Sequence, residues 1–269
     1  MTGLYYYDGS SPRPACRGVL HLTCALSSPA WGAYLLRRCD SSRALFGCVV
    51  FVSSLAYLFA TSGTYHTYRW QDVDSELQMQ RADHLGIHLV CFGSLVPAFL
   101  LLLGKHSSLI TALHMVWVSV CIYLTVTEPH DEALTGGRYQ ATLNYVMSPL
   151  PGLVAALRYG LYSQLTQDEQ LYLRLTGVQY LTGAFIYALE SPNPFPQTFG
   201  FHEIFHMFVV GAATTTYLMN LSVVERCYGV HSSYDDDDGQ EQGAADAVHK
   251  TRRSPPIESS ILSQRIKGR

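Results

Sequence analysis

Apolar residues gather along this chain in runs near the length a helix needs to cross a bilayer, about 20 residues. Seven such runs can be marked off, at 16–36, 44–65, 82–103, 108–126, 139–157, 171–189 and 201–224. The first is interrupted by His21, Ser27, Ser28 and Pro29 and ends at Arg37 and Arg38. The second closes on Ser62-Gly63-Thr64-Tyr65-His66. A polar stretch with Arg69, Asp72, Asp74 and Glu76 leads to the third, which opens with Asp83, His84 and His88 and carries Pro97 at an expected kink. Gly104 to Ser107 reads as a tight hairpin into the fourth. The fifth holds Pro149 and Pro151, which a membrane helix tolerates when neighbours satisfy the carbonyls they free. The turn Pro192-Asn193-Pro194-Phe195-Pro196 cannot be helical and sets up the seventh run.

This pattern predicts an all-α membrane protein, a seven-transmembrane-helix bundle over residues 15–228, integral and multi-pass, with the lipid bilayer as its solvent. Residues 1–14 form an N-terminal tail. They lack the basic start and apolar core of a cleaved signal peptide, so the first membrane helix is expected to act as the targeting signal. Residues 229–269 run from Asp235-Asp236-Asp237-Asp238 through Gly, Gln and Ala to Lys250, Arg252 and Arg253. Such a segment has too little apolar surface to offset the entropy of ordering and is expected to be a disordered acidic and polar tail.

Composition narrows the function classes. The seven cysteines are scattered without a C-x-x-C pair, which reads as small buried residues rather than a disulfide framework or a cysteine zinc site. A net charge of −3 with no basic face gives no reason to expect nucleic acid. Near the span ends, Arg13, Arg17, Arg69, Arg81 and Arg138 fall on the side of the N-terminus, and Arg37, Arg38, Arg43, Lys105, Arg158 and Arg226 on the other. Five against six is no bias, so the positive-inside rule does not orient the chain.

The chemistry concentrates at the mouth of the last run, in Phe-Gly-Phe-His-Glu-Ile-Phe-His from Phe199 to His206. His202 and His206 are four apart, on one face of a helix. With Glu203 they match His-Glu-x-x-His, the zinc-protease pattern whose Glu is a general base. Counting seven spans brings His66, Asp83, His202 and His206 to the same membrane depth on the N-terminal side, with Ser62 one turn before His66. Three neutral imidazoles, His66, His202 and His206, with a water would make an open tetrahedral zinc site. Asp83 would bond that water as base or orienter, and Ser62 would position it or donate to an oxyanion. Each has a plainer reading. Asp83 can cap the third helix, Ser62 can ease helix packing, and His66 can be interfacial. His84 and His88, also four apart, are rival ligands, whereas His21 and His114 read as packed histidines.

Three ordered blocks now resemble a known family. Ser62-Gly-Thr-Tyr-His66, then Arg81-Ala-Asp83-His84-Leu-Gly-Ile87 with Gly93-Ser94-Leu-Val-Pro97, then Phe199-Gly-Phe-His202-Glu-Ile-Phe-His206 look like the signature blocks of the hemolysin III family, a branch of the progestin and adiponectin receptor family. Residues 188–196 and His21 also resemble its pattern. The resemblance implies seven transmembrane helices, a cytoplasmic N-terminus and zinc held by His66, His202 and His206. It also implies membership of a wider group of metal-dependent lipid hydrolases that share Ser, Asp and three His and include alkaline ceramidases. Adiponectin receptors carry Gln where this chain has Glu203, which argues against that Glu as an indispensable base.

Two functions lead from here. One is a zinc-dependent hydrolase of a lipid amide such as ceramide, with Asp83 and Ser62 catalytic and a lipid as substrate. The other is a heptahelical receptor with structural zinc, a lipid or other ligand, and no turnover. Membrane lysis lacks an amphipathic lytic segment, and an intramembrane protease on Glu203 lacks a second Asp-Gly element to supply its third ligand.

Overall fold

The computed structural model describes the backbone of residues 13–127 and 137–251, with side chains from 13 to 127 and from 139 to 227. Besides one short 3-10 turn and non-helical links, the described residues form ten α-helices. These are α1 (Val19–Leu36), α2 (Ser42–Thr67), α3 (Val73–Gly93), α4 (Val96–Leu102), α5 (Ser107–Thr127), α6 (Gly137–Met147), α7 (Leu150–Arg158), α8 (Leu161–Gln164), α9 (Gln167–Leu189) and α10 (Phe201–Thr251). Contacts divide the chain into a unit of residues 1–228 and a second unit of residues 229–269. The expected tail, residues 229–269, lies outside the described side chains.

Four stretches of the described residues are long and apolar enough to cross a membrane: Ser42–Thr67, Val73–Leu102, Gly104–Thr127 and Phe201–Cys227. They carry the expected second, third, fourth and seventh runs. Along α5, Leu109, Leu113, Val116 and Val120 are exposed at helical spacing while Ile110, His114, Val118 and Cys121 are buried. An apolar outer face over a buried inner one is what a helix shows when lipid, not water, surrounds it.

The third helix starts earlier than its apolar run. Asp72, not Asp83, is the N-cap: its carboxylate accepts from the Ser75 amide at 2.8 Å and from the Ser75 hydroxyl at 2.9 Å. Those two bonds, the backbone one first, hold the Asp72 carboxyl below its ordinary pKa. The capping role considered for Asp83 is thereby excluded, and Asp83 is left mid-helix and buried.

Three prolines in or beside the helices have their freed carbonyls answered. Pro29 cannot donate to Ala25 O, and the Ser28 hydroxyl donates there instead at 2.7 Å. Pro151 frees Met147 O, which accepts from the Trp117 indole at 3.1 Å. Pro149 frees Tyr145 O, which faces Cys91 Sγ at 3.9 Å. The fifth run therefore breaks at Ser148-Pro149 into α6 and α7, and the third breaks ahead of Pro97 into α3 and α4.

Two apolar clusters hold the bundle. One joins Leu35, Phe51, Leu55, Leu58, Phe59 and Val90 to Val209, Ala213 and Val224 of α10. The other packs Phe99, Leu102 and Ile110 with Ala156, Leu161, Met219 and Val223. Between helices, Thr176 of α9 pairs hydroxyl to hydroxyl with Thr215 and Thr216 at 2.7 and 3.1 Å. Tyr217 donates to Trp31 O at 2.8 Å, tying α10 to α1. Such bonds matter more in lipid, where apolar contact alone gives helices little reason to associate.

Candidate metal centre

Two helix ends and a short strap build the site. His66 stands in the last turn of α2, and His202 and His206 in the first turns of α10. The non-helical turn before α10 is fixed by paired bonds between Phe195 and Phe199 at 3.1 and 2.8 Å. Residues 15 and 16 then bond across it, Ala15 N to Gln197 O at 3.0 Å and Cys16 N to Thr198 O at 3.1 Å. Arg13 reaches back to α2 and α3, donating to Tyr68 O at 2.7 Å and to Glu76 at 2.7 Å. The strap thereby clips the start of α10 to the end of α2, which brings distant histidines together.

Gly18 completes that junction. It has a φ of +77°, in the left-handed region that favours glycine, and a Cβ placed there would lie 2.5 Å from His66 Cβ. Only a residue without a side chain lets the strap lie against the histidine.

The three imidazoles face one another. His66 Nε2 and His202 Nε2 are 3.2 Å apart, and one nitrogen from each of His66, His202 and His206 lies within 4.8 Å of the others. An ion bonded tetrahedrally to two nitrogens at about 2.0–2.1 Å spaces them by about 3.3 Å, so the observed gap suits two ligands of one ion. His66 and His206 are each only 3 % exposed. This buried group can hold a metal ion, and it is the only set of three or more candidate ligands this close among the described residues.

Asp83 and Ser62 border the same space. Asp83 Oδ2 lies 3.5 Å from His66 Nε2, the nitrogen that also faces His202. A small cleft of about 30 Å³ is lined by His21, Ser62, Asp83, His84, His202 and His206 together with Tyr145, Tyr187, Leu58, Ile87, Phe205 and Val209. The coincidence of depth expected from span parity is thus seen in space.

The rival ligands separate. His88 is fully buried with both nitrogens engaged, Nδ1 at 3.1 Å from Ser148 Oγ and Nε2 at 2.9 Å from Thr125 Oγ1. His84 lines the cleft but is not one of the three that converge. His114 is packed as expected, with Nε2 3.3 Å from Cys91 O.

Two residues behave differently from their sequence reading. Glu203 points away from a protease role: Oε2 accepts from Gly200 N at 2.7 Å, and Oε1 takes the Arg17 guanidinium. It is the N3 residue of α10 reaching back to the helix start. His21 is buried as expected, yet it stacks on His206 with ring centroids 3.8 Å apart and lies on the cleft wall. Sequence could not place it there, because the contact depends on the rotation of α1.

Helices with lipid-facing apolar flanks around a buried trio of histidines define a class: integral, multi-pass membrane proteins able to hold a metal ion within the bundle. The Haemolysin-III related family model matches residues 10–217, and the chain belongs to that family. It is also similar to an adiponectin receptor protein of Drosophila melanogaster, 28 % identical over 172 residues that cover 58 % of this chain and 37 % of the relative. The chain thus spans little more than a third of that relative's length.

Proposed function

We propose that this chain is a seven-span membrane hydrolase with an intramembrane zinc ion held by His66, His202 and His206, acting on a lipid amide of the ceramide class. The N-terminus would face the cytoplasm, and residues 229–269 would form a tail outside the seven-helix domain. One observation carries the reading: the three converging imidazoles stand beside a carboxylate, Asp83, and a cleft that Ser62 lines together with Leu58, Ile87, Phe205 and Val209. A purely structural ion needs neither the neighbouring Asp83 nor Ser62.

Zinc, when bound, supplies the positive charge that polarises a carbonyl and makes a water acidic enough to attack near neutral pH. The protein's own groups do the rest. Asp83 takes a proton from the attacking water as its oxygen adds to the amide carbonyl carbon. Ser62 donates a hydrogen bond to the carbonyl oxygen as negative charge collects there. The C–N bond then breaks, the amine leaves with the proton that Asp83 held, and the acid keeps the water's oxygen. Leu58, Ile87, Phe205 and Val209 hold the acyl chain and exclude other water.

A second reading, a receptor with a structural ion and no turnover, is favoured by the relative described as an adiponectin receptor protein. Purified protein decides between them through zinc content and hydrolysis of a panel of long-chain N-acyl amides, with and without a chelator. Chelator-sensitive hydrolysis supports the enzyme, and one zinc without turnover across the panel supports the receptor.

A further inference from the structure

His21 has no part in the chemistry above. It lies in the first turn of α1, 2 % exposed, and neither ring nitrogen has a hydrogen-bond partner. Its ring lies flat on that of His206, with the planes only 11° apart, while Phe59 covers it at 5.2 Å.

The stacking says what His21 is not. An imidazole directs its nitrogen lone pair in the plane of the ring, so two nearly parallel rings with centroids 3.8 Å apart hold their lone pairs in separate, nearly parallel planes that do not converge on one ion. This is why His21 stands outside the group of three. Nor is it an ordinary packed histidine, since His114, equally buried, keeps a nitrogen against a backbone carbonyl. A buried polar group without a partner is destabilising unless something else completes it. His21 borders the cleft.

We infer that His21 is a ligand-binding residue: it steadies the His206 ring by stacking and hydrogen-bonds the polar head of the molecule that occupies the cleft. The inference rests on the metal reading of the three histidines. The lining sets the occupant's chemistry. A neutral imidazole offers one donor and one acceptor, and Ser62 and Asp83 stand on the same wall, so the head is an amide or hydroxamate-like group. Leu58, Ile87, Phe205 and Val209, with the rings of Tyr145 and Tyr187, favour an apolar group next to that head.

The test uses the full chain in detergent with Co²⁺ at the site, titrated with dodecanohydroxamic acid and read by visible absorption. His21→Phe keeps the ring, the stacking and the volume but removes both nitrogens. It should take up one Co²⁺ with wild-type affinity yet bind the hydroxamate about tenfold more weakly, the usual consequence of losing one such bond. His21→Gln, which keeps a donor and an acceptor without the ring, should stay within about threefold of wild type for the hydroxamate. Unchanged hydroxamate affinity in the Phe variant would reduce His21 to packing. Loss of Co²⁺ from it would make His21 a ligand, and either result overturns the inference. Should the Phe variant not fold, a tenfold loss in a Gln variant that still takes up one Co²⁺ with wild-type affinity has the same effect. His66→Ala serves as the separate check: full Co²⁺ uptake there sinks the metal reading itself.

Discussion

His66 and His202 meet Nε2 to Nε2 at 3.2 Å, although 136 residues separate them in the chain. Two imidazole nitrogens this close are poor neighbours unless a proton or a cation lies between them. The metal reading supplies that cation, and it sets the first expectation. His66→Ala, His202→Ala and His206→Ala should each weaken zinc binding by more than about 100-fold, since even residues that merely orient ligands contribute 10–100-fold. Elemental analysis after dialysis against a zinc buffer measures it. A full equivalent of zinc in the triple variant would move the site elsewhere.

Asp83→Asn separates enzyme from receptor. Asn preserves shape and leaves the three imidazoles in place, so zinc content should hold. Single-turnover hydrolysis of a ceramide-like amide should fall by about 10²–10⁴-fold, the usual contribution of a positioned proton acceptor. Equal hydrolysis in both proteins would remove Asp83 from the mechanism.

Gly18 and Gly104 form a matched pair. Both have positive φ, at +77° and +49°, but a Cβ on Gly104 would meet nothing within 4 Å. Gly104→Ala should therefore cost only the left-handed strain, about 1–2 kcal/mol. Gly18→Ala adds a clash with His66, about 1–3 kcal/mol more by the usual cost of overpacking, and should lower zinc affinity as well. Thermal unfolding and zinc titration of the two variants measure this; equal effects on zinc would show that the strap does not position His66.

The opposite end of the bundle has its own anchor. Glu169 is fully buried in a capping box with Thr166 and is bonded by Arg226 at 3.0 Å and by Ser222 at 2.9 Å. Burial alone would raise its carboxyl, but the bonds from Arg226, Thr166 and Ser222 and the Arg226 charge outweigh it and hold the pKa below its ordinary 4.5. A depressed carboxyl adds stability that is complete above the unfolded value and is lost as pH falls through the folded one. Wild-type melting temperature should thus be flat in this respect from pH 7 to about 5 and decline below about 4. Glu169→Ala should lose about 1–3 kcal/mol at pH 7, less than a fully buried pair because the Arg226 side chain is partly exposed, and should show a shallower acid decline. Parallel acid profiles for the two proteins would exclude the carboxylate as the cause.

The parts legible in the sequence were those that depend on local period. The spacing of His202 and His206 follows from the helical repeat, and the parity of the apolar runs brought His66 and Asp83 to the same depth before any packing was known. The Thr166-x-x-Glu169 spacing was legible too, as a capping-box signature that would have started α9 at its observed boundary. What the tertiary structure alone decided was how each helix is turned about its axis and which neighbour faces it. The rotation of α3 gives His88 to Ser148 and Thr125 and leaves Asp83 beside His66. The rotation of α1 lays His21 on His206, and the strap turns Glu203 from a protease-like base into a partner of Arg17. A histidine four residues from another is marked in the chain itself. Which of its nitrogens stays free is set by side chains up to a hundred or more residues away, and only the packed bundle brings those to it.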